Sequence, residues 1–143
     1  KKIVLPVEKD RTDSHECVCY AIEHGFCEIL LLGAIGTRLD HTIANLHLLK
    51  IALDAGVDMK IANEQNEVFL IREKTEFSKK TGWHVSLLPI GKAEGIVTEG
   101  LYYPVMNGTM EFGNPYGVSN EFTDDTAKVS LKSGLLLVVL SRD

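Results

Sequence analysis

The feature that most constrains this chain is a strand–helix alternation, repeated in succession, within its first 65 residues. Glu28-Ile-Leu-Leu-Leu32 is a short, almost unbroken apolar run, the kind of strand that a parallel sheet covers on both faces. Gly33-Ala-Ile-Gly36 follows, and then Leu39, Ile43, Leu46, Leu49 and Leu53 recur at helical intervals until Gly56. That spacing predicts an amphipathic helix closed by a glycine, with a further strand over 57–62. Upstream, Ile3-Val4-Leu5 reads as a strand end stopped by Pro6, which has no amide to donate to a sheet ladder. Asp13-Ser14-His15-Glu16 and Thr37-Arg38-Leu39-Asp40 both have capping-box spacing. The first opens a helix expected to carry Cys17, Tyr20, Ala21 and His24 along one face and to end at Gly25. Two β-α-β units in succession mean a parallel sheet with helices packed on it.

From residue 66 the texture changes. Residues 68–71, 84–88, 95–98, 127–131 and 135–140 read as strands. Turn residues separate them: Gly82, Pro89-Ile-Gly91, Gly100, Asn107-Gly108, Asn114-Pro115, Gly117 and Ser133-Gly134. With no convincing 3.6-residue period among them, residues 66–143 are expected to form an antiparallel β-sandwich or barrel. The fold class is thus α/β followed by all-β, with domains at 1–65 and 66–143.

Composition narrows the function. A formal net charge of −5 argues against a nucleic-acid binder, which needs a basic face to displace counterions. It leaves room for a phosphorylated small molecule, because a few local donors suffice. No apolar run approaches the roughly 20 residues that span a bilayer, so no membrane partner is expected. Cys17, Cys19 and Cys27 are odd in number and form no C-x-x-C pair, which reads as reduced thiols in a cytoplasmic protein.

Three stretches hold residue types suited to chemistry. Glu8-Lys9-Asp10-Arg11-Thr12-Asp13 lies between a strand end and a helix start, where ligands collect in an open α/β sheet. Its carboxylates and hydroxyl suit hydrated Mg²⁺ and phosphate oxygens, or simply a solvated, capped loop. Gly33 to His41 also joins a strand to a helix; Gly33 and Gly36 permit close backbone approach, and Arg38 is a planar phosphate donor. Asp40 there is equally a capping acid and His41 an exposed first-turn histidine, while Asn45 reads as part of a polar helix face. Phe112 to Phe122 mixes glycines, amides and aromatics, as either a loop that stacks a flat ring or a plain hairpin connection. Trp83, Tyr102 and Tyr103 read as core or barrel-end aromatics.

At these places the sequence resembles the thiamine pyrophosphokinase family. Lys9-Asp10-Arg11-Thr12-Asp13 is similar to that family's K-D-x-T-D segment, and Gly33 to His41 with Asn45 and Leu46 to its G-x-x-G-x-R-x-D-H-x-x-x-N-L segment. Ser86-Leu-Leu-Pro-Ile-Gly91, Gly100-Leu-Tyr-Tyr-Pro104, Gly117-Val-Ser-Asn-Glu-Phe122 and the terminal Ser141-Arg-Asp143 match the signatures of its second domain. The resemblance implies an ATP-binding α/β domain, a thiamine-binding sandwich and a homodimer with thiamine near the subunit boundary. It implies pyrophosphoryl transfer from ATP to the thiamine hydroxyl with Mg²⁺; the alternative is a non-catalytic thiamine-binding or dimerisation module. Asp13 would serve the metal and triphosphate, with Lys9, Asp10 and Thr12 beside it. Arg38 would neutralise charge on the leaving AMP, and Asp40 and His41 would shape that pocket. Ser119 and Asn120 would hydrogen-bond thiamine, with Phe122 as the ring-stacking position.

The family also carries an earlier G-D-x-D-S segment with further magnesium ligands, which these 143 residues lack; the natural protein is expected to start earlier. The 143 residues alone should then bind ATP–Mg²⁺ poorly and turn over slowly or not at all. Isothermal titration reporting tight ATP–Mg²⁺ binding would refute this.

Overall fold

Thr12 opens the first helix, α1 (Asp13–Glu23): its Oγ1 accepts the His15 amide at 3.2 Å, satisfying a backbone donor that the helix itself leaves unpaired. The cap is therefore one residue earlier than the spacing of Asp13 and Glu16 predicted, and Asp13 becomes the first helical residue. The computed structural model describes residues 10–143. The predicted strand end at Ile3 to Leu5 and the candidate ligand Lys9 lie outside the described residues. Two compact units divide at Ile61 and Ala62.

In the first unit, α1 is followed by β1 (Glu28–Leu32), α2 (Leu39–Asp54) and β2 (Asp58–Ala62). Both helices stop in the same way. Gly25 and Gly56 take positive φ of 77° and 71°, Phe26 donates to the Ala21 carbonyl, and Val57 donates to the Ala52 carbonyl. These are paired Schellman closures, in which a left-handed residue lets the chain turn back and bond the last carbonyls. The Asp58 amide, opening β2, donates to the Cys27 carbonyl just before β1. The two neighbouring strands therefore start side by side and run parallel.

The buried faces differ in part from the helical spacing. Val18 is the buried residue of α1, with Ala21 and Ile22 partly covered, while Cys17 is exposed and Tyr20 stacks on His24 at the surface. On α2, Leu48, Leu49 and Ala52 are buried, but Leu39 and Ile43 in the first turns are exposed. β1 was expected to be covered on both faces. Among the described residues its burial alternates, and Leu30 and Leu32 stand 60% and 66% exposed. β1 thus has one partly buried face, carrying Ile29 and Leu31, and one exposed face. No helix among the described residues is long and apolar enough to cross a membrane.

The second unit is all strand: β3 (Asn66–Ile71), β4 (Lys74–Ser78), β5 (His84–Pro89), β6 (Lys92–Glu99), β7 (Met106–Glu111), β8 (Thr126–Ser130) and β9 (Leu136–Ser141). Antiparallel pairing gives the order β3-β9-β5 in one layer and β4-β8-β6-β7 in the other. Phe69, Ile71, Val85, Leu87, Leu136, Val138 and Leu140 from the first layer meet Ala93, Ile96, Met110, Ala127 and Val129 from the second in one buried cluster. Two sheets closing on a shared core make a sandwich, which decides between the two expected architectures. Burying each large aliphatic contributes about 1.5–3 kcal/mol, and β9, flanked on both sides, has four of its six residues buried. The sequence pattern missed β4 and β7, the two edges of their layer. Edge strands carry solvated polar residues, so Lys74-Thr-Glu76 and Asn107-Gly108 masked them.

Beyond β7 the chain does not make a plain hairpin. It crosses to the other layer, where the Leu87 amide donates to the Gly117 carbonyl at 2.7 Å, and Val85 and Asn120 exchange two bonds of 2.8 Å. A Cβ at Gly117 would meet the Leu87 carbonyl oxygen at 2.4 Å, too close for any side chain. Gly117→Ala is therefore expected to destabilise the sandwich by about 2–3 kcal/mol, read by denaturant unfolding; an unchanged midpoint would contradict this packing.

Candidate functional site

Both candidate loops of the first unit are helix entrances, and topology brings them to one place. α1 runs into β1 through a tight reversal, and α2, entered from β1 through residues 33–38, runs into the neighbouring parallel strand β2 through another. Both helices consequently run antiparallel to β1, so both N-termini lie at its C-terminal end. Helix N-termini present unpaired amides and a partial positive charge, which favours anions.

At the first entrance, Asp10 and Arg11 are exposed, and Thr12 is engaged as the helix cap. Arg11 turns back along α1, 4.0 Å from Glu16 and within 3.8 Å of the Cys19 sulfur. Asp10 and Asp13 flank Thr12, and both are exposed. Among the described residues no group of three or more His, Cys, Asp or Glu side chains is gathered for a metal. One or two carboxylates fit a Mg²⁺ ion that keeps its waters and takes its remaining ligands from substrate phosphates. They do not make a closed, all-protein cage.

The second entrance is tied down more thoroughly than its sequence implied. Gly33 takes φ of 74° as the chain leaves β1. The Asn45 amide, read from sequence as a polar helix face, donates instead to the Ala34 carbonyl at 2.9 Å across eleven residues. Thr42 accepts the Gly36 amide at 3.2 Å, and its hydroxyl faces the Gly36 and Arg38 carbonyls at 3.3 Å. The predicted Thr37 cap is absent: Arg38 occupies the cap position with no side-chain cap bond. Its guanidinium grips Asp40 in two-pronged fashion, Nε to Oδ1 at 3.3 Å and NH2 to Oδ2 at 2.6 Å. Both side chains are about two-thirds exposed, and His41 beside them is exposed on the first turn of α2.

In the second unit, Ser119 holds φ of +60°, uncommon for a residue with a Cβ. Its amide is fixed by the hydroxyl of buried Ser86 at 3.0 Å. Phe122 is partly buried, its ring edge-on to Phe77 at 6.0 Å and packed against the core cluster. It also borders an open hollow of about 280 Å³ with Lys79, Lys80, Gly82, Trp83, His84 and Glu121. Trp83 lies under the Lys80 ammonium at 4.6 Å and near the Arg142 guanidinium at 5.5 Å, while Lys80 is paired with Glu67. Tyr102 and Tyr103, read from sequence as core or barrel-end aromatics, are 62% and 64% exposed, which excludes the core. Their alternation puts Leu101 inward, bridged to Phe122, and turns the next residue out.

The Arg38 guanidinium beside Asp40 holds its carboxyl below the usual carboxylate range, with His41 adding to the effect. A carboxyl whose folded pKa is depressed stabilises the fold above its unfolded pKa and loses that contribution as pH falls through the folded one. NMR titration should therefore show Asp40 protonating at lower pH than an ordinary aspartate, with Arg38→Ala moving its midpoint back up.

Two family models match the chain in order: Thiamin pyrophosphokinase, catalytic domain, over residues 1–61, and Thiamin pyrophosphokinase, vitamin B1 binding domain, over residues 71–136. The chain is 25% identical to the thiamine pyrophosphokinase of Bacillus subtilis, covering 98% of itself and 67% of that protein. A crystal structure of that bacterium's enzyme superposes with a TM-score of 0.91 at 24% identity, covering 96% of this chain and 65% of that one; at that identity it supports the fold. The thiamin pyrophosphokinase structure from Geobacillus thermodenitrificans gives a TM-score of 0.87 at 28% identity, over 96% and 65% of the two chains. The chain thus spans about two thirds of these bacterial relatives, and 55% of a rice thiamine pyrophosphokinase to which it is 26% identical.

Proposed function

Because the chain belongs to the thiamine pyrophosphokinase family, we propose that it carries out pyrophosphoryl transfer from ATP to thiamine, giving thiamine diphosphate and AMP. In this reading residues 1–65 are the C-terminal part of the ATP-binding catalytic domain and residues 66–143 bind thiamine. The observation that carries it is the shared end of β1, where two helix N-termini, Asp13 and Arg38 meet the requirements of a triphosphate.

The chemistry follows from those groups. The thiamine hydroxyl oxygen forms a bond to the β-phosphorus and gives up its proton to Asp13 or to solvent, the bond to the α,β-bridging oxygen breaks, and AMP leaves with that electron pair. Asp13 would hold Mg²⁺, which when bound would supply charge neutralisation for the triphosphate, and Asp10 would line the same phosphate site. Lys9, Thr12 and the amides around Gly33 and Gly36 line the same phosphate site. Arg38 exchanges one carboxylate for phosphate oxygens, a like-for-like two-pronged geometry, and stabilises charge on the departing AMP. Asp40 and His41 bound that pocket. Phosphoryl transfer demands mainly positioning and charge neutralisation, and these groups supply both.

Ser119, Asn120 and Phe122 form the thiamine side. The exposed Met106 and Phe112 at and beside edge strand β7 suit the expected homodimer, and a cytoplasmic location fits the free cysteines. The test is thiamine-dependent AMP release by the full-length gene product with ATP and Mg²⁺. Arg38→Ala should lower kcat by about a hundredfold or more with the fold intact; absence of AMP release by the unaltered protein would overturn the proposal.

A further inference from the structure

Asn120 is used up by its own fold. Its Oδ1 accepts the Tyr103 amide at 2.9 Å and the Glu121 amide at 2.9 Å, and its Nδ2 donates to the Tyr103 carbonyl at 2.8 Å. The amide orientation is not interchangeable, because both backbone N–H groups require an acceptor. Both lone pairs of Oδ1 are thus taken, and one N–H remains. In effect the side chain imitates a strand residue and pairs both backbone groups of Tyr103, where the true pairing has ended. That pairing runs just beside it: the Tyr102 amide donates to the Glu121 carbonyl at 2.9 Å, and Leu101 bridges Phe122.

The segment so held is the exposed aromatic pair. The Tyr102 and Tyr103 rings meet edge-to-face, 4.9 Å between centroids at 84°. By register Tyr102 stands opposite Glu121, whose carbonyl accepts its amide. An exposed aromatic wall matches a flat, cationic heterocycle, which gains from stacking and from the ring quadrupole together. Phe122, by contrast, has its ring edge against Phe77 and the core.

We propose that Asn120 is a positioning residue: its amide holds the Tyr102–Tyr103 pair as the wall on which the acceptor's cationic ring stacks, and its carbonyl oxygen takes no part in binding that ring. This rests on the thiamine reading and assigns the recognition within it. Ser119, anchored by Ser86 on the preceding residue, stays free to present its hydroxyl to the same ligand.

A double-mutant cycle decides it. In the full-length gene product, KM for thiamine, kcat and direct thiamine binding are measured for Asn120→Ala, Tyr103→Ala and the pair. Positioning through Tyr103 predicts that each single change weakens thiamine by about tenfold, with kcat changed less than KM. It also predicts that Asn120→Ala adds less than about twofold once the ring of Tyr103 is gone. Tyr103→Phe, which keeps the ring and the backbone that Asn120 grips, should retain affinity. Asn120→Asp, which keeps the acceptor oxygen and loses the donor, should fall between Asn120→Ala and the unaltered protein, and serves if Asn120→Ala fails to fold. Additive losses, or full affinity in Tyr103→Ala, would overturn the positioning role and leave the thiamine reading standing. Absence of thiamine binding by the unaltered protein would overturn both.

Discussion

Parallel pairing of β1 and β2 is the constraint on which the first unit depends. Strands that start side by side oblige the chain to return through a helix, and a returning helix begins where its strand ends. The N-termini of α1 and α2 are thus delivered to one end of β1, with Asp13 as the first residue of α1 and Arg38 at the cap of α2. Reversing β2 would leave the same residues in the sequence and disperse the site. The glycine closures at Gly25 and Gly56 belong to this logic, since they allow each strand to begin within a few residues of its helix.

The sandwich solves a different problem with different means. Its core is made by side chains meeting across two layers, and its recognition face by side chains bonding backbone where the ladders run out. Ser86 holds Ser119, Asn120 holds Tyr103, and Gly117 lets the connecting segment lie against Leu87. A loop fastened in this way loses little entropy when a ligand arrives, which favours tight and selective binding.

Much of this was legible in the sequence, and the reason is periodicity. The crossover order, α2 and five of the seven sandwich strands announce themselves by apolar spacing and glycine punctuation. The first helix's cap was misplaced by one residue because Thr12 and Asp13 are both good caps, and only the His15 amide decides between them. The roles of Thr42, Asn45 and Asn120 were not legible, because each bonds backbone remote from its neighbours in helix or strand. The exposure of Tyr102 and Tyr103 was not legible either: aromatics are often buried, while the bridge at Leu101 turns Tyr102 away from the core.

The resting pair of Arg38 with Asp40 has a consequence for selectivity. A guanidinium already satisfied by a carboxylate two residues away presents itself in fixed orientation, at no cost in searching. Under the proposed function, an anion that takes this same edge of the guanidinium displaces Asp40 and then has to tolerate its negative charge nearby. Small, weakly charged anions gain too little from the exchange, whereas a polyphosphate that also reaches a metal and two helix entrances gains enough. In that reading the acid acts as a built-in competitor that reserves this edge of the arginine for multivalent guests.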